Sequence, residues 1–431
     1  MIKNYLTESD EILSEISKFC NTSDLKNDIY STVQEIINDV RENGDNALVG
    51  RTLLYDKAVI EPKCIPVTLD ELTDARSRLS VSEENSINDA IENITLFHKK
   101  SIPDNWDTVN GHGASVGERY YPINRVGVYV PGGNVPLIST VLMTVTLAKV
   151  ANVKEIVVVT PPNSAGQVAP QMLAALDILG VREIYKVGGA QAISALAYGT
   201  ETIPSVDKIF GPGNAFVNEA KRQVFGAVGI DLLPGPSEVM VIADSTANPA
   251  YVASALLAQA EHGSGKEKLF LLFSEESHFE KISHEIDTQL EKLVHRDAIN
   301  RVLANGFFSV HLSEFDRIVE VANFIAPEHL ELQVDEKNVD FFTKQITTAG
   351  AFLIGHITAT PLGDFLAGPS HVLPTNRSAR FSSGLRIDDF FRRSSVIKYD
   401  KDSASKASSS LKVFAEMENL DAHGKSFSMR L

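Results

Sequence analysis

The stretch VGVYVPGGNVPLISTVLMTVTLAKVANVKEIVVVTPP (126–162) decides the fold. Residues 126–148 carry no charge and are numerous enough for a membrane span, but Pro131-Gly132-Gly133-Asn134 and Pro136 interrupt them. Proline and glycine there would break a spanning helix and leave backbone groups unpaired in lipid. A short strand, a Gly/Pro turn, a separate helix and a second strand fit better.

The same alternation continues outward from this stretch. Apolar runs recur as VGVYV (126–130), EIVVV (155–159), EIYKV (183–187), DKIF (207–210), EVMVIA (238–243), LFLLF (269–273), FSVHL (308–312) and AFLIG (351–355). Amphipathic segments lie between them, at 169–179, 191–198, 214–225 and 251–262. Strands alternating with helices of this length predict parallel sheets built from βαβ units. Eight strands are many for one sheet, so the chain divides into two α/β lobes near Pro234-Gly235-Pro236-Ser237. Ahead of them, residues 24–41 place Leu25, Ile29, Val33, Ile36, Ile37 and Val40 on one helical face, capped by Ser23 or Asp24 and stopped by Gly44. Residues 58–68 read as extended and 83–99 as a mostly polar surface helix. The tail after Asn376, rich in serine and arginine but carrying Phe381, Phe390 and Phe391, reads as a small helical domain packed on a partner.

Composition narrows the function. Of 431 residues, 40 are Lys or Arg and 56 are Asp or Glu, a formal charge of −16. That balance argues against a nucleic-acid backbone or an anionic membrane as partner. The N-terminus mixes acids into every turn and has no apolar signal region, so a cytoplasmic protein is expected. Cys20 and Cys64 are too few for a disulfide framework and read as two buried small hydrophobes.

Several strands end in Gly/Pro turns: PGG (131–133), TPP (160–162), GGAQ (188–191) and GPGN (211–214). Ligands of open α/β sheets bind beyond the carboxyl ends of strands, where such turns let backbone approach. The full dinucleotide fingerprint is absent, because Gly211-Pro212-Gly213 lacks a third glycine at the required spacing.

Four places carry candidate chemistry. Gln259 and His262 are three apart at a helix end, which suits half a metal site or a histidine at the negative end of a helix dipole. Glu328 and His329 follow a helix and offer two bases for different protons, or a surface turn. Asp364 follows the AFLIG strand, with His371 soon after; a carboxylate there suits a metal, a substrate ammonium or a local turn. Glu418 and His423 are five apart, so they share no helical face, and nothing local elevates His423. No P-loop, HExxH or CxxC motif is present. A metal-dependent hydrolase and a noncatalytic two-lobed binding protein stay open at this level.

The quoted segments, with VGGAQAISALAYGTE (187–201), KIFGPGNAFVNEAKR (208–222), GPSEVMVIAD (235–244), LLAQAEHG (256–263), APEHLEL (326–332), GDFLAGPSHVLPT (363–375) and RFSSGL (380–385), resemble the histidinol dehydrogenase family over most of the chain. The resemblance implies two incomplete Rossmann-like lobes with parallel sheets, plus small N- and C-terminal helical segments. The implied divisions are residues 1–25, a catalytic lobe of 26–128 with 238–382, an NAD-binding lobe of 129–237, and a C-terminal segment of 383–431 reaching a partner subunit. It implies a homodimeric, zinc-dependent enzyme that takes L-histidinol through L-histidinal to L-histidine with two NAD. Gln259, His262, Asp364 and His423 match zinc ligands, and Glu328 and His329 match the acid–base pair. Ser237 and Glu418 match substrate contacts, joined there by His329 and the four zinc ligands. Tyr129, Gln191 and Asn214 match NAD contacts. A sister group oxidising other small alcohols shares this framework, and the pairing of Glu418 with His423 favours histidinol.

Overall fold

The computed structural model describes residues 5–7, 9, 11–20, 27–132 and 136–431. The cap expected at Ser23 or Asp24 lies outside these residues, as do Gly133 and Asn134 of the turn. In chain order the strands are β1 (Tyr5–Thr7), β2 (Trp106–Val109), β3 (Ser115–Pro122), β4 (Arg125–Tyr129), β5 (Glu155–Thr160), β6 (Glu183–Lys186) and β7 (Lys208–Phe210). They continue as β8 (Gly229–Ile230), β9 (Glu238–Ala243), β10 (Lys268–Phe273), β11 (Phe307–His311), β12 (His329–Gln333), β13 (Ala351–Ile354) and β14 (Phe391–Lys398).

Two parallel sheets form the lobes. One is five-stranded with order β6-β5-β4-β7-β8, the other six-stranded with order β1-β11-β10-β9-β12-β13. Leaving β1 aside, both run third-second-first-fourth-fifth within their lobe, the doubly wound order without its sixth strand. The chain passes from one to the other between Ile230 and Glu238.

Period-two alternation explains why each sheet is covered on both faces. In β9, Met240 and Ile242 enter one apolar cluster while Val239, Val241 and Ala243 enter another. In β4, Val126 and Val128 face one cluster and Tyr129 the opposite one. Strands buried on both faces read as continuous apolar runs, which is what a parallel sheet requires.

The switch point of the first sheet lies between β4 and β7. Gly211 sits there at φ 107°, and a Cβ on it would lie 2.0 Å from the Tyr129 carbonyl oxygen, so only glycine fits. Lys221, fully buried, ties this loop to the segment leaving the lobe. Its Nζ donates to Gly211 O at 3.0 Å and Leu232 O at 2.7 Å, and pairs with the Asp231 carboxylate.

The structure corrects several expectations. Residues 27–100 pack on the five-stranded sheet instead of joining the 238–382 lobe. Val33, Ile36, Ile37 and Val40 cluster with Val157, Ile193 and Ile209, while Leu72, Ile87 and Ile94 cluster with Val126 and Leu173. The reason is that both faces of that sheet need an apolar cover. Gly44 does not end the first helix but breaks it, at φ 50° within Asn27–Asp56. The Glu201 carboxylate accepts the Asp45 N–H at 2.9 Å, satisfying the break. The helix Val81–Lys99 is not a surface helix all round, because Ile87, Ala90, Ile94 and His98 are buried.

The terminal segments also contain strands. β1 adds to the edge of the six-stranded sheet beside β11, and β14 pairs with β3 in a three-stranded antiparallel sheet, β14-β3-β2. Phe390 stacks on Phe210 at 4.1 Å, anchoring the C-terminal segment to the first lobe. Beyond β14, helices Lys401–Met417 and Asp421–Ser428 pack on each other and leave Val413, Phe414, Met417, Leu420 and Met429 exposed. Cys64, expected to be buried, is exposed. Among the described residues no helix is long and apolar enough to cross a membrane.

Candidate active site

Two cavities adjoin one another, and the larger lies where the lobes meet. The larger, ≈ 1200 Å³, is lined by Ser237, Gln259, His262, Glu328, His329 and Asp364 from the second lobe and Asn214 from the first. The smaller, ≈ 990 Å³, is lined by Tyr129, Gln191, Asn214 and the TPP turn of the first lobe. Asn214 borders both.

The two lobes present opposite ends to this junction. Tyr129, Gln191 and Asn214 stand at or just beyond the carboxyl ends of β4, β6 and β7. Ser237 and Glu328 immediately precede β9 and β12, and His329 is the first residue of β12. Gln259 and His262 lie at the C-terminal end of helix Pro249–Ala260. A helix returning from β9 brings its C-terminus back to the strands' starting end, so Gln259 and His262 meet Glu328 and His329 there. The carboxyl-end rule therefore holds for the first lobe and not for the second.

His329 and Glu328 are both buried. His329 Nε2 is 3.3 Å from Asp364 Oδ1, Nδ1 is 3.3 Å from the Glu238 carbonyl oxygen, and Nδ1 is 3.7 Å from Glu328 Oε2. Burial disfavours the imidazolium, but the Glu328 and Asp364 carboxylates outweigh it and lift the pKa to about 10. Glu328 Oε2 accepts the Glu238 N–H at 2.8 Å, which fixes the carboxylate against β9. Burial pushes the Asp364 carboxyl up, yet His329, His371 and His262 together hold it below the usual range. His371 Nδ1 lies 2.9 Å from the Asp364 carbonyl oxygen, and burial draws its pKa down.

Asp364 is carried by the short helix Thr360–Phe365. Glu331, buried in β12, accepts from Thr360 N at 2.8 Å and Thr360 Oγ1 at 2.7 Å. That carboxylate satisfies a helix N-terminus and holds the helix against the sheet.

Gln259, His262 and Asp364 supply oxygen and nitrogen donors of the kind zinc takes. The Gln259 amide is buried with its Nε2 unpartnered among the described residues, so it is not committed to the protein's own polar groups. Among the described residues no three His, Cys, Asp or Glu side chains form a metal cluster. The expected fourth donor, His423, is exposed on the C-terminal arm, as is Glu418, and neither lines the cleft of its own chain.

In the smaller cavity Tyr129 is buried, its hydroxyl accepts the Gly189 N–H at 3.2 Å, and burial pushes its pKa to about 12. Gln191 is 1% exposed, with both amide atoms unpartnered among the described residues. A buried amide is not left unsatisfied without cause. Asn214 differs: its Oδ1 caps helix Ala215–Val224 by accepting from Phe216 N and Val217 N, which leaves only its amide nitrogen for a ligand.

The sequence and the fold have close counterparts. A family model described as histidinol dehydrogenase matches residues 21–431. The chain belongs to the histidinol dehydrogenase family. It is 40% identical to the histidinol dehydrogenase of Nitrosospira multiformis over 98% of this chain and 95% of that one. It is 42% identical to that of Geobacillus kaustophilus, covering 93% of each chain. A crystal structure of histidinol dehydrogenase from Elizabethkingia anophelis superposes with a TM-score of 0.94 at 35% identity, covering 99% of this chain and 97% of that one.

Neither the hydrogen bonds around Glu238 nor the carboxylate of Asp56 in the smaller cavity was legible beforehand. Glu238 opens the EVMVIA run, and the sequence there gives no sign of those bonds. Asp56 falls between the helix expected to stop at Gly44 and the extended stretch from 58, and the sequence there carries no signal of a site.

Proposed function

We propose that the protein oxidises L-histidinol through L-histidinal to L-histidine, with two NAD accepting the hydrides. The observation that carries this reading is the convergence of Gln259, His262, Glu328, His329 and Asp364 on one cleft that adjoins the Gln191 cavity. A hydrolase using the same donors would have no use for that second cavity.

Zinc, when bound, would hold the substrate's imidazole and amine nitrogens and so orient its alcohol. Gln259, His262 and Asp364 would be its ligands from one chain and His423 from the partner. Ser237 and Glu418 would contact the substrate, and Tyr129, Gln191 and Asn214 would hold NAD. His329 takes the alcohol proton as hydride leaves the carbinol carbon. Glu328 takes a proton from the water that adds to the bound aldehyde. His329, having passed its first proton to solvent, then takes the remaining hydroxyl proton of the hydrate anion as the second hydride leaves for the second NAD, giving the carboxylate. Burial of both residues excludes bulk water and keeps the aldehyde in place.

A homodimer would bring the exposed apolar face of the arm against a second copy and deliver Glu418 and His423 to its cleft. We infer a cytoplasmic enzyme, since both proposed substrates are small, soluble and free of any membrane phase.

The test is NADH formation from L-histidinol by the zinc-loaded protein. Activity lost to a chelator and regained with zinc is expected. No NADH from folded, zinc-loaded protein would overturn the reading.

A further inference from the structure

Asp56 is the last residue of helix Asn27–Asp56 and lines the smaller cavity beside Tyr55, Tyr129 and Gln191. Its Oδ2 is buried and has no hydrogen-bond partner among the described residues. The placement is unfavourable twice over. The carboxylate is desolvated, and it stands at the negative end of a helix. No cation offsets it, because none of the described residues lining the cavity is Lys, Arg or His. Folding alone gives no reason to keep an acid here.

A ligand does. Vicinal hydroxyls donate two hydrogen bonds to a carboxylate, and hydrogen bonds to a charged acceptor are the strong kind. A phosphate ester on one of those hydroxyls would instead meet a negative charge in a cavity with no basic side chain. We propose that Asp56 selects NAD over its 2′-phosphorylated counterpart by accepting hydrogen bonds from the hydroxyls of the adenosine ribose. This rests on the reading of the smaller cavity as the NAD site. Burial lifts the Asp56 carboxyl to about 6, so it is ionised at neutral pH and above.

The experiment is calorimetric binding of NAD and NADP to the zinc-loaded full-length protein, comparing wild type, Asp56→Asn and Gln191→Ala. Asp56→Asn is expected to weaken NAD about 10- to 100-fold and to spare or improve NADP, collapsing the preference. Its melting temperature should hold or rise, since an unpaired buried charge is removed; a carboxylate with a structural role would lower it. Gln191→Ala is expected to weaken both nucleotides together. If Gln191→Ala weakens NAD while Asp56→Asn keeps the NAD-to-NADP ratio of wild type, the assignment of Asp56 is overturned and the cavity reading stands. If neither variant changes NAD affinity, the cavity is not the NAD site and both fall.

Discussion

His329 Nε2 lies 3.3 Å from Asp364 Oδ1, which joins the proposed base directly to a proposed zinc ligand. Burial opposes the imidazolium, but the Glu328 carboxylate and that contact with Asp364 outweigh it and hold the pKa at about 10. A base must be neutral to take a proton. Zinc on Asp364 would compensate the carboxylate and lower the His329 pKa toward the usual imidazole value of about 6.5. Titration of labelled histidines by NMR should therefore show His329 protonated through neutral pH without zinc and deprotonating at lower pH with it. The same titration curve in both forms would count against the coupling.

Separate roles for the adjacent pair predict separate defects. His329→Asn should slow alcohol oxidation by about two to four orders of magnitude, the usual loss for a general base. Glu328→Gln should slow conversion of supplied histidinal more than the first hydride transfer. Single-turnover measurements on each substrate distinguish the two, and equal losses in both steps would contradict the division.

The Asp364 helix is held by Glu331, a residue outside the cleft. Glu331→Gln removes the charge that accepts from Thr360 N and Oγ1. Zinc affinity should fall about 10- to 100-fold, as for other groups that orient metal ligands. Competition against a chelator of known affinity measures this. Unchanged affinity in a folded variant would mean the helix is fixed by other contacts.

Much of the fold was legible because parallel strands covered on both faces are continuous apolar runs, as in VGVYV and EVMVIA. What escaped was polar. All four residues of β2 are exposed, and β14, FRRSSVIK, has no apolar run, so the antiparallel sheet left no signal. In the site, Gln259 with His262 and Glu328 with His329 were visible as local groups. Their shared cleft was not, because it depends on a helix returning to the amino ends of β9 and β12. His423 stayed unexplained within one chain for a physical reason: its own arm holds it away from the cleft.

Glu238 makes a pH-dependent contribution to stability. Burial and the charge of Glu328 lift its carboxyl to about 8, with Lys268 opposing. A carboxyl whose pKa is raised on folding binds more protons folded than unfolded, so stability falls as pH rises from about 4.5 toward 8. Glu238→Gln mimics the neutral acid. Its melting temperature should exceed that of wild type at pH 8 and converge with it in acid, as seen by thermal unfolding across pH. A variant less stable than wild type at pH 8 would show that the charged form is the stabilising one.

The most direct test of the proposed chemistry is stoichiometry. Zinc-loaded protein is given limiting L-histidinol and excess NAD, and NADH and histidine are counted at completion. Four-electron oxidation with the aldehyde retained predicts two NADH for each histidine and no free histidinal. One NADH for each histidinol consumed, with histidinal accumulating in solution, would contradict it.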